Sequence, residues 1–165
     1  MKVAIFPGTF NPFTIGHADI VERALTIFDK VVIGIGYNPE KGDSNIYPRL
    51  AHLKSLYEDD PRVEAEAYND LTVEFAQRHG AVAIVKGVRS VKDYEYEREQ
   101  ADFNHVLDDE IETIIFYARP ELSSLTSNII RTLEHFGKDV SQYVPLIKYD
   151  YLLNRERKYA QNTEA

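Results

Sequence analysis

Short β-branched runs alternate with helix-period segments five times along this chain, and that alternation decides the fold class. The runs KVAIF (2–6), KVVIGIG (30–36), VEAEAY (63–68), VAIVKG (82–87) and ETIIFYA (112–118) have strand character. The first, second, fourth and fifth are nearly continuous in apolar residues, the pattern of strands covered on both faces in a parallel sheet. VEAEAY alternates apolar with acidic residues instead, which places it at a sheet edge.

The intervening segments have helical periodicity. After His17, the residues Ile20, Val21, Ala24, Ile27 and Phe28 share one face. YPRLAHLKSLYED enters at Pro48 and repeats leucine at 50, 53 and 56, while LTVEFAQRHG stops at Gly80. SVKDYEYEREQADFNHVL carries Ser90 and Asp93 at capping-box spacing and is expected to turn Tyr96, Phe103 and Val106 inward. TSNIIRTLEHFG offers Thr126 or Ser127 as N-cap and Gly137 as stop. A last amphipathic segment follows Pro145, and from about residue 150 the chain is a polar tail. No repeat or low-complexity linker divides the chain, so residues 1–165 form one domain. The expectation is an α/β, Rossmann-like, doubly wound domain with a five-stranded parallel sheet and a C-terminal helix.

Composition removes several functions. A net charge of -8 argues against coating nucleic acid by phosphate neutralisation, although local cations can still make a positive cleft. Without cysteine there are no disulfides, zinc thiolates or cysteine nucleophiles. MKVAIFPG turns too soon for a secretory signal, and no apolar run reaches membrane-spanning length, so the expected location is the cytoplasm.

In doubly wound sheets ligands bind outside the carboxyl ends of the strands. The segments that follow the five strands here are PGTFNPFTIGH, YNPEK, NDLT, KGVRS and ARPELSSLTSN. They gather Lys41, Lys86, Arg89 and Arg119 with Thr9, His17 and a run of hydroxyls, on a protein that is acidic overall. Cations, hydroxyls and helix N-termini on one rim suit phosphate groups. Thr14 can cap the first helix, which puts Gly16 and His17 in its opening turn, and Gly8 and Gly16 leave room for close approach. There is no Gly-Lys-Ser/Thr, so this is not a P-loop, and the GIG at 34–36 lies inside a strand rather than after one. Asp59–Asp60 and Asp108–Glu110 read as solvated turns rather than metal ligands, and the other four histidines fall on different helices.

GTFNPFTIGH resembles the GxFxPxxxGH signature of the nucleotidylyltransferase superfamily. YNPEK, KGVRSVKDYEYE (86–97) and SSLTSNIIR (123–131), at these spacings, make the chain similar to the bacterial phosphopantetheine adenylyltransferase family up to about Tyr149. The resemblance implies transfer of AMP from ATP to 4′-phosphopantetheine, giving dephospho-coenzyme A and pyrophosphate, with Mg²⁺ arriving on the ATP. It implies that Thr9 and Lys41 hold the acceptor phosphate and that His17 meets the α-phosphate. Thr9, Phe10, His17, Gly87, Val88, Arg89, Glu97 and the loop of Leu122, Ser123, Ser124, Leu125, Thr126, Ser127 and Asn128 would surround the nucleotide. Leu71, Thr72 and Asn104 would line the pantetheine arm, and Lys86 would face the substrate phosphate. His17, Lys41 and Arg89 would carry catalysis by positioning and electrostatics. The family also implies a homohexamer, with coenzyme A as a candidate feedback ligand.

Two positions depart from the family pattern. Lys86 replaces a frequent arginine and loses its bidentate fork. Thr126, Ser127 and Asn128 replace a run of serines, although the backbone N–H groups of a helix start can still take a phosphate. The rival readings are a pyridine-mononucleotide adenylyltransferase, which shares the first motif, and a non-catalytic nucleotide-binding regulator, which would bind ATP without turnover. A tRNA-charging fragment lacks the basic surface it would need.

Overall fold

The computed structural model describes residues 1–37 and 46–146. Five strands, β1 (Val3–Gly8), β2 (Lys30–Gly36), β3 (Val63–Tyr68), β4 (Ala83–Val88) and β5 (Glu112–Tyr117), form one sheet in the order β3-β2-β1-β4-β5. All pairings are parallel. The helices α1 (Ile15–Ala24), α2 (Ile46–Leu56), α3 (Thr72–Arg78), α4 (Val91–Leu107) and α5 (Ser127–His135) alternate with the strands or follow the last one. The α/β, doubly wound expectation therefore holds, and VEAEAY is indeed an edge strand.

Side-chain alternation sorts the sheet residues into two cores. Ala4, Phe6, Val31, Ile33, Ile35 and Val85 pack with Ile20, Val21, Ala24, Leu53 and Leu56 of α1 and α2. On the other face Val3, Ile5, Val32 and Ile84 pack with Val73, Phe75 and Ala76 of α3. Gly34 belongs to this second face, where a Cβ would lie 2.5 Å from the Phe75 ring. Gly80 and Gly137 both have positive φ (+59° and +70°), as their position just beyond helix ends requires.

Three sequence expectations fail. β5, read as covered on both faces, is the second edge strand, and its central residues are only half-buried. Ile27 is exposed because α1 ends at Ala24; the turn that follows seats Phe28 but not Ile27 in the core. Tyr96, Phe103 and Val106 point outward, at 61%, 53% and 82% exposure, and Asn104 is the buried residue of α4. Periodicity identifies a stripe on that helix, but α4 turns a different face to the sheet. Ser90 caps α4 by accepting from the Asp93 N–H at 3.2 Å, while Asp93 accepts from the Arg89 N–H rather than closing the box on Ser90. Thr126 rather than Ser127 is the N-cap of α5. Lys41, the polar tail and the amphipathic segment from residue 147 onward lie outside the described residues.

The sheet parts where the strand order reverses. β1 pairs with β2 over its full length, but with β4 only at Ala4↔Ala83 and Ile5↔Ile84. Phe6–Gly8 and Lys86–Val88 then diverge and leave a gap at the carboxyl edge. Pro7, which has no N–H to donate, sits beyond the last β1–β4 pair.

Candidate active site

A cleft of about 580 Å³ opens in this gap, lined by the end of β1, the first turn of α1, the end of β4, one side of α4 and the start of α5. At its centre lies His17. Thr14 is the N-cap of α1, and its side chain accepts the His17 backbone N–H at 3.4 Å. In return the Thr14 backbone N–H donates to His17 Nδ1 at 3.0 Å. Nδ1 is therefore an acceptor, which leaves the ring proton on Nε2.

The rings of Phe10, Phe13 and Phe6 pack around the imidazole at centroid distances of 5.0, 5.4 and 6.3 Å. Burial, followed by the nearby Arg89 charge, lowers the His17 pKa from 6.5 to about 3. His17 is thus a neutral N–H donor at physiological pH, fixed in tautomer and direction.

Phe10 adopts φ +48°, a region that non-glycine residues seldom enter. Its ring covers Gly8, where a Cβ would meet it at 2.8 Å. Gly8 is therefore needed for packing, whereas a Cβ on Gly16 would approach only Thr14 Oγ1, at 3.4 Å. Arg49 is buried and donates to the Thr9 carbonyl, which holds the loop from below.

Cations reach the cleft from the end of β4, from the turn that follows it and from α5. Arg89 is held by Asp93 through Nε (3.2 Å) and reaches the Leu125 carbonyl at 3.4 Å. Lys86 Nζ pairs with Glu97 at 3.1 Å. Arg131 donates to the Asn11 carbonyl and lies 3.4 Å from Asn128 Oδ1. Ser127 donates to the Pro12 carbonyl at 2.8 Å, which locks the start of α5 against the first loop. The Ile15 N–H, at the start of α1, is taken by the Tyr143 carbonyl at 2.9 Å.

The cleft brings together Thr9, Phe10, His17 and Thr72, then Lys86, Gly87, Val88, Arg89 and Glu97, then Leu122, Leu125, Thr126, Ser127 and Asn128. Other expected site residues lie elsewhere. Ser123 turns back to the Pro120 carbonyl, and Ser124 does not line the cleft. Leu71 is exposed at the start of α3, and Asn104 is buried under α4 outside the cleft. Arg119, counted among the rim cations, instead pairs with buried Asp19 at 2.7 Å and serves the scaffold.

Sequence reasoning missed Arg131 and Tyr68. Arg131 follows Asn128 by one helical turn, so helical spacing from the cap could have found it. Tyr68 closes β3 and gave no signal beyond strand alternation.

What the cleft can do chemically follows from these parts. A neutral N–H donor, three cations and the start of a nine-residue helix converge on open space suited to polyphosphate. Among the described residues no three His, Asp or Glu side chains group to hold a metal, and the cleft carboxylate Glu97 faces Lys86.

The chain matches the cytidylyltransferase-like family model over residues 5–133. A phosphopantetheine adenylyltransferase of Bacteroides thetaiotaomicron is 49% identical over 146 residues, which span 88% of this chain and 96% of that one. The protein of the same name from Phocaeicola vulgatus is 50% identical over 148 residues, with the same coverage. That of Leuconostoc citreum is 41% identical over 157 residues, spanning 94% and 99%. Among solved structures, a bifunctional NMN adenylyltransferase/ADP ribose pyrophosphatase from Francisella tularensis superposes with a TM-score of 0.65 at 19% identity. That match covers 87% of this chain and 44% of the longer one, and it establishes a shared fold.

Proposed function

This chain belongs to the phosphopantetheine adenylyltransferases, within the cytidylyltransferase-like family, and on that premise we propose that it joins AMP from ATP to 4′-phosphopantetheine. The products are dephospho-coenzyme A and pyrophosphate, which makes this a step of coenzyme A biosynthesis. The observation that carries the reading is His17: a neutral imidazole with Nε2–H as donor, held at a helix start inside the cleft.

An oxygen of the acceptor phosphate attacks the α-phosphorus, the bond from that phosphorus to the bridging oxygen breaks, and pyrophosphate leaves with the bond electrons. A phosphate monoester has a second pKa near 6, so the nucleophile is already largely dianionic and needs no general base. What the protein must supply is alignment and charge stabilisation.

His17 Nε2–H donates to the α-phosphoryl oxygen. Arg89 and the N–H groups at the start of α5 hold the β- and γ-phosphates, and Lys86 and Arg131 border them. Gly87 and Val88 border the nucleotide with Glu97, which also keeps Lys86 in place. Lys41, with Thr9, steers the acceptor phosphate, so Lys41→Ala harms use of phosphopantetheine more than use of ATP. Mg²⁺ enters as part of the MgATP substrate.

The protein works in the cytoplasm as a homohexamer, for which the apolar side chains exposed along α4 offer contact material, Phe103 and Val106 among them. Coenzyme A, which shares the acceptor's arm, acts as a feedback ligand. Pyrophosphate release with each acceptor in turn tests the activity. Turnover is expected with phosphopantetheine and not with a pyridine mononucleotide; the reverse preference, or ATP binding with no release, overturns the reading.

A further inference from the structure

The two ends of the cleft differ in chemistry. One end carries Arg89, Arg131 and the start of α5. At the other, where β2 and β3 end, the described lining residues are Gly36, Tyr68 and Thr72, all uncharged. Tyr68 is 8% exposed, and its hydroxyl lies 3.1 Å from Thr72 Oγ1.

The scaffold is cut to seat this ring. It stacks on Phe75 at 4.3 Å and 11°, and β2 passes beneath it through two glycines. A Cβ on Gly34 would lie 2.9 Å from the Tyr68 ring, and one on Gly36 would lie 3.3 Å from the Tyr68 hydroxyl. Burial raises the phenol pKa further above 10, so the hydroxyl keeps its proton.

Two hydroxyls bring two protons, and the bond between them uses one. Among the described residues the pair has no other hydrogen-bond partner, so a donor and spare lone pairs are left to face the cleft.

We infer that the Tyr68 hydroxyl, oriented by Thr72, is a specificity determinant that reads the uncharged amide arm of the acceptor. This rests on the functional reading above and extends it to a side chain that the motifs do not contain. An amide offers both a carbonyl acceptor and an N–H donor, and a hydroxyl pair can answer either. The cationic end offers an amide arm no such match. An immobilised phenol also loses little rotamer freedom on binding, which favours discrimination.

The test is steady-state pyrophosphate release with 4′-phosphopantetheine and ATP varied separately. Tyr68→Phe keeps the stack on Phe75 and removes one hydroxyl, and the KM for phosphopantetheine is expected to rise about 3–10-fold while that for ATP moves less than twofold. Thr72→Val should act in the same direction, and the double variant should be no worse than about the larger single effect, since the two act as one unit. Thr72→Ser, which keeps the hydroxyl, should keep the acceptor KM near that of the wild type. An acceptor KM unchanged in Tyr68→Phe, or both KM values rising together, overturns the inference and leaves the functional reading standing. If the wild-type protein releases no pyrophosphate with phosphopantetheine, the reading fails and the inference falls with it.

Discussion

Helices α1 and α4 both leave the carboxyl end of a strand beside the cleft, and both begin under a hydroxyl cap, Thr14 for one and Ser90 for the other. Beyond that they differ. α1 buries Ala18, Ile20, Val21 and Ala24 and presents one uncharged donor whose tautomer is set by a backbone N–H. α4 is seven residues longer (17 against 10), buries Asn104 alone, and sets its carboxylates against the cations at the end of β4: Asp93 with Arg89 and Glu97 with Lys86. A group that must meet a transition state at a fixed angle is fixed by surrounding rings and a backbone N–H; groups that hold flexible phosphates are steadied by counter-charges instead. The difference is therefore one of task as well as of burial.

The sharpest way to break this comparison is His17→Ala. Losing one preorganised donor at the reacting centre should cut turnover about 10²–10³-fold, with the fold checked by circular dichroism. Near-normal turnover would make the packed imidazole an ornament of the core. Next comes Arg89→Ala, expected to raise the KM for ATP about 10–100-fold, as loss of a charge-assisted contact does. Because Arg89 is partly exposed, the wild-type advantage should shrink as ionic strength rises, whereas the His17 effect should persist.

A smaller effect concerns acid. The unfolded chain protonates His17 near pH 6.5, but the folded protein does not until about 3. Between those values the unfolded state binds more protons, so this residue makes stability fall as pH drops from about 6.5 toward 3. Denaturant titrations across that window should show a flatter decline for His17→Asn; parallel declines would mean that the imidazole titrates normally. For the same reason, turnover should show no inflection from His17 between pH 5 and 8. The smallest effect belongs to the outer face of α4, where the Arg98–Asp102 pair, 3.9 Å apart and largely exposed, should yield less than about 0.5 kcal/mol to Arg98→Ala in thermal unfolding.

How much of this was legible in the sequence differs between the same two helices. The strands and the start of α1 could be read because their signals are local: near-continuous apolar runs, a threonine cap, and a histidine three residues later. On α4 the apolar stripe of Tyr96, Phe103 and Val106 suggested burial, but which face meets the sheet depends on the crossover, and that is not a local property. Arg119 looked like Arg89, a cation just after a strand, until Asp19, one hundred positions away, claimed it. Tyr68 was silent because its role depends on Gly34 and Gly36 of the preceding strand, 34 and 32 positions earlier. Pairings made across the fold leave no mark on either partner's neighbours in the chain.

The loop between β1 and α1 is fastened by Ser127 at the start of α5 and Arg131 midway along it, and the first amide of α1 by Tyr143. On the ribosome, the opening motif therefore emerges more than a hundred residues before its fasteners exist. Its final shape is set only when almost the whole chain has been made, so a truncated nascent product carries the motif without a finished cradle.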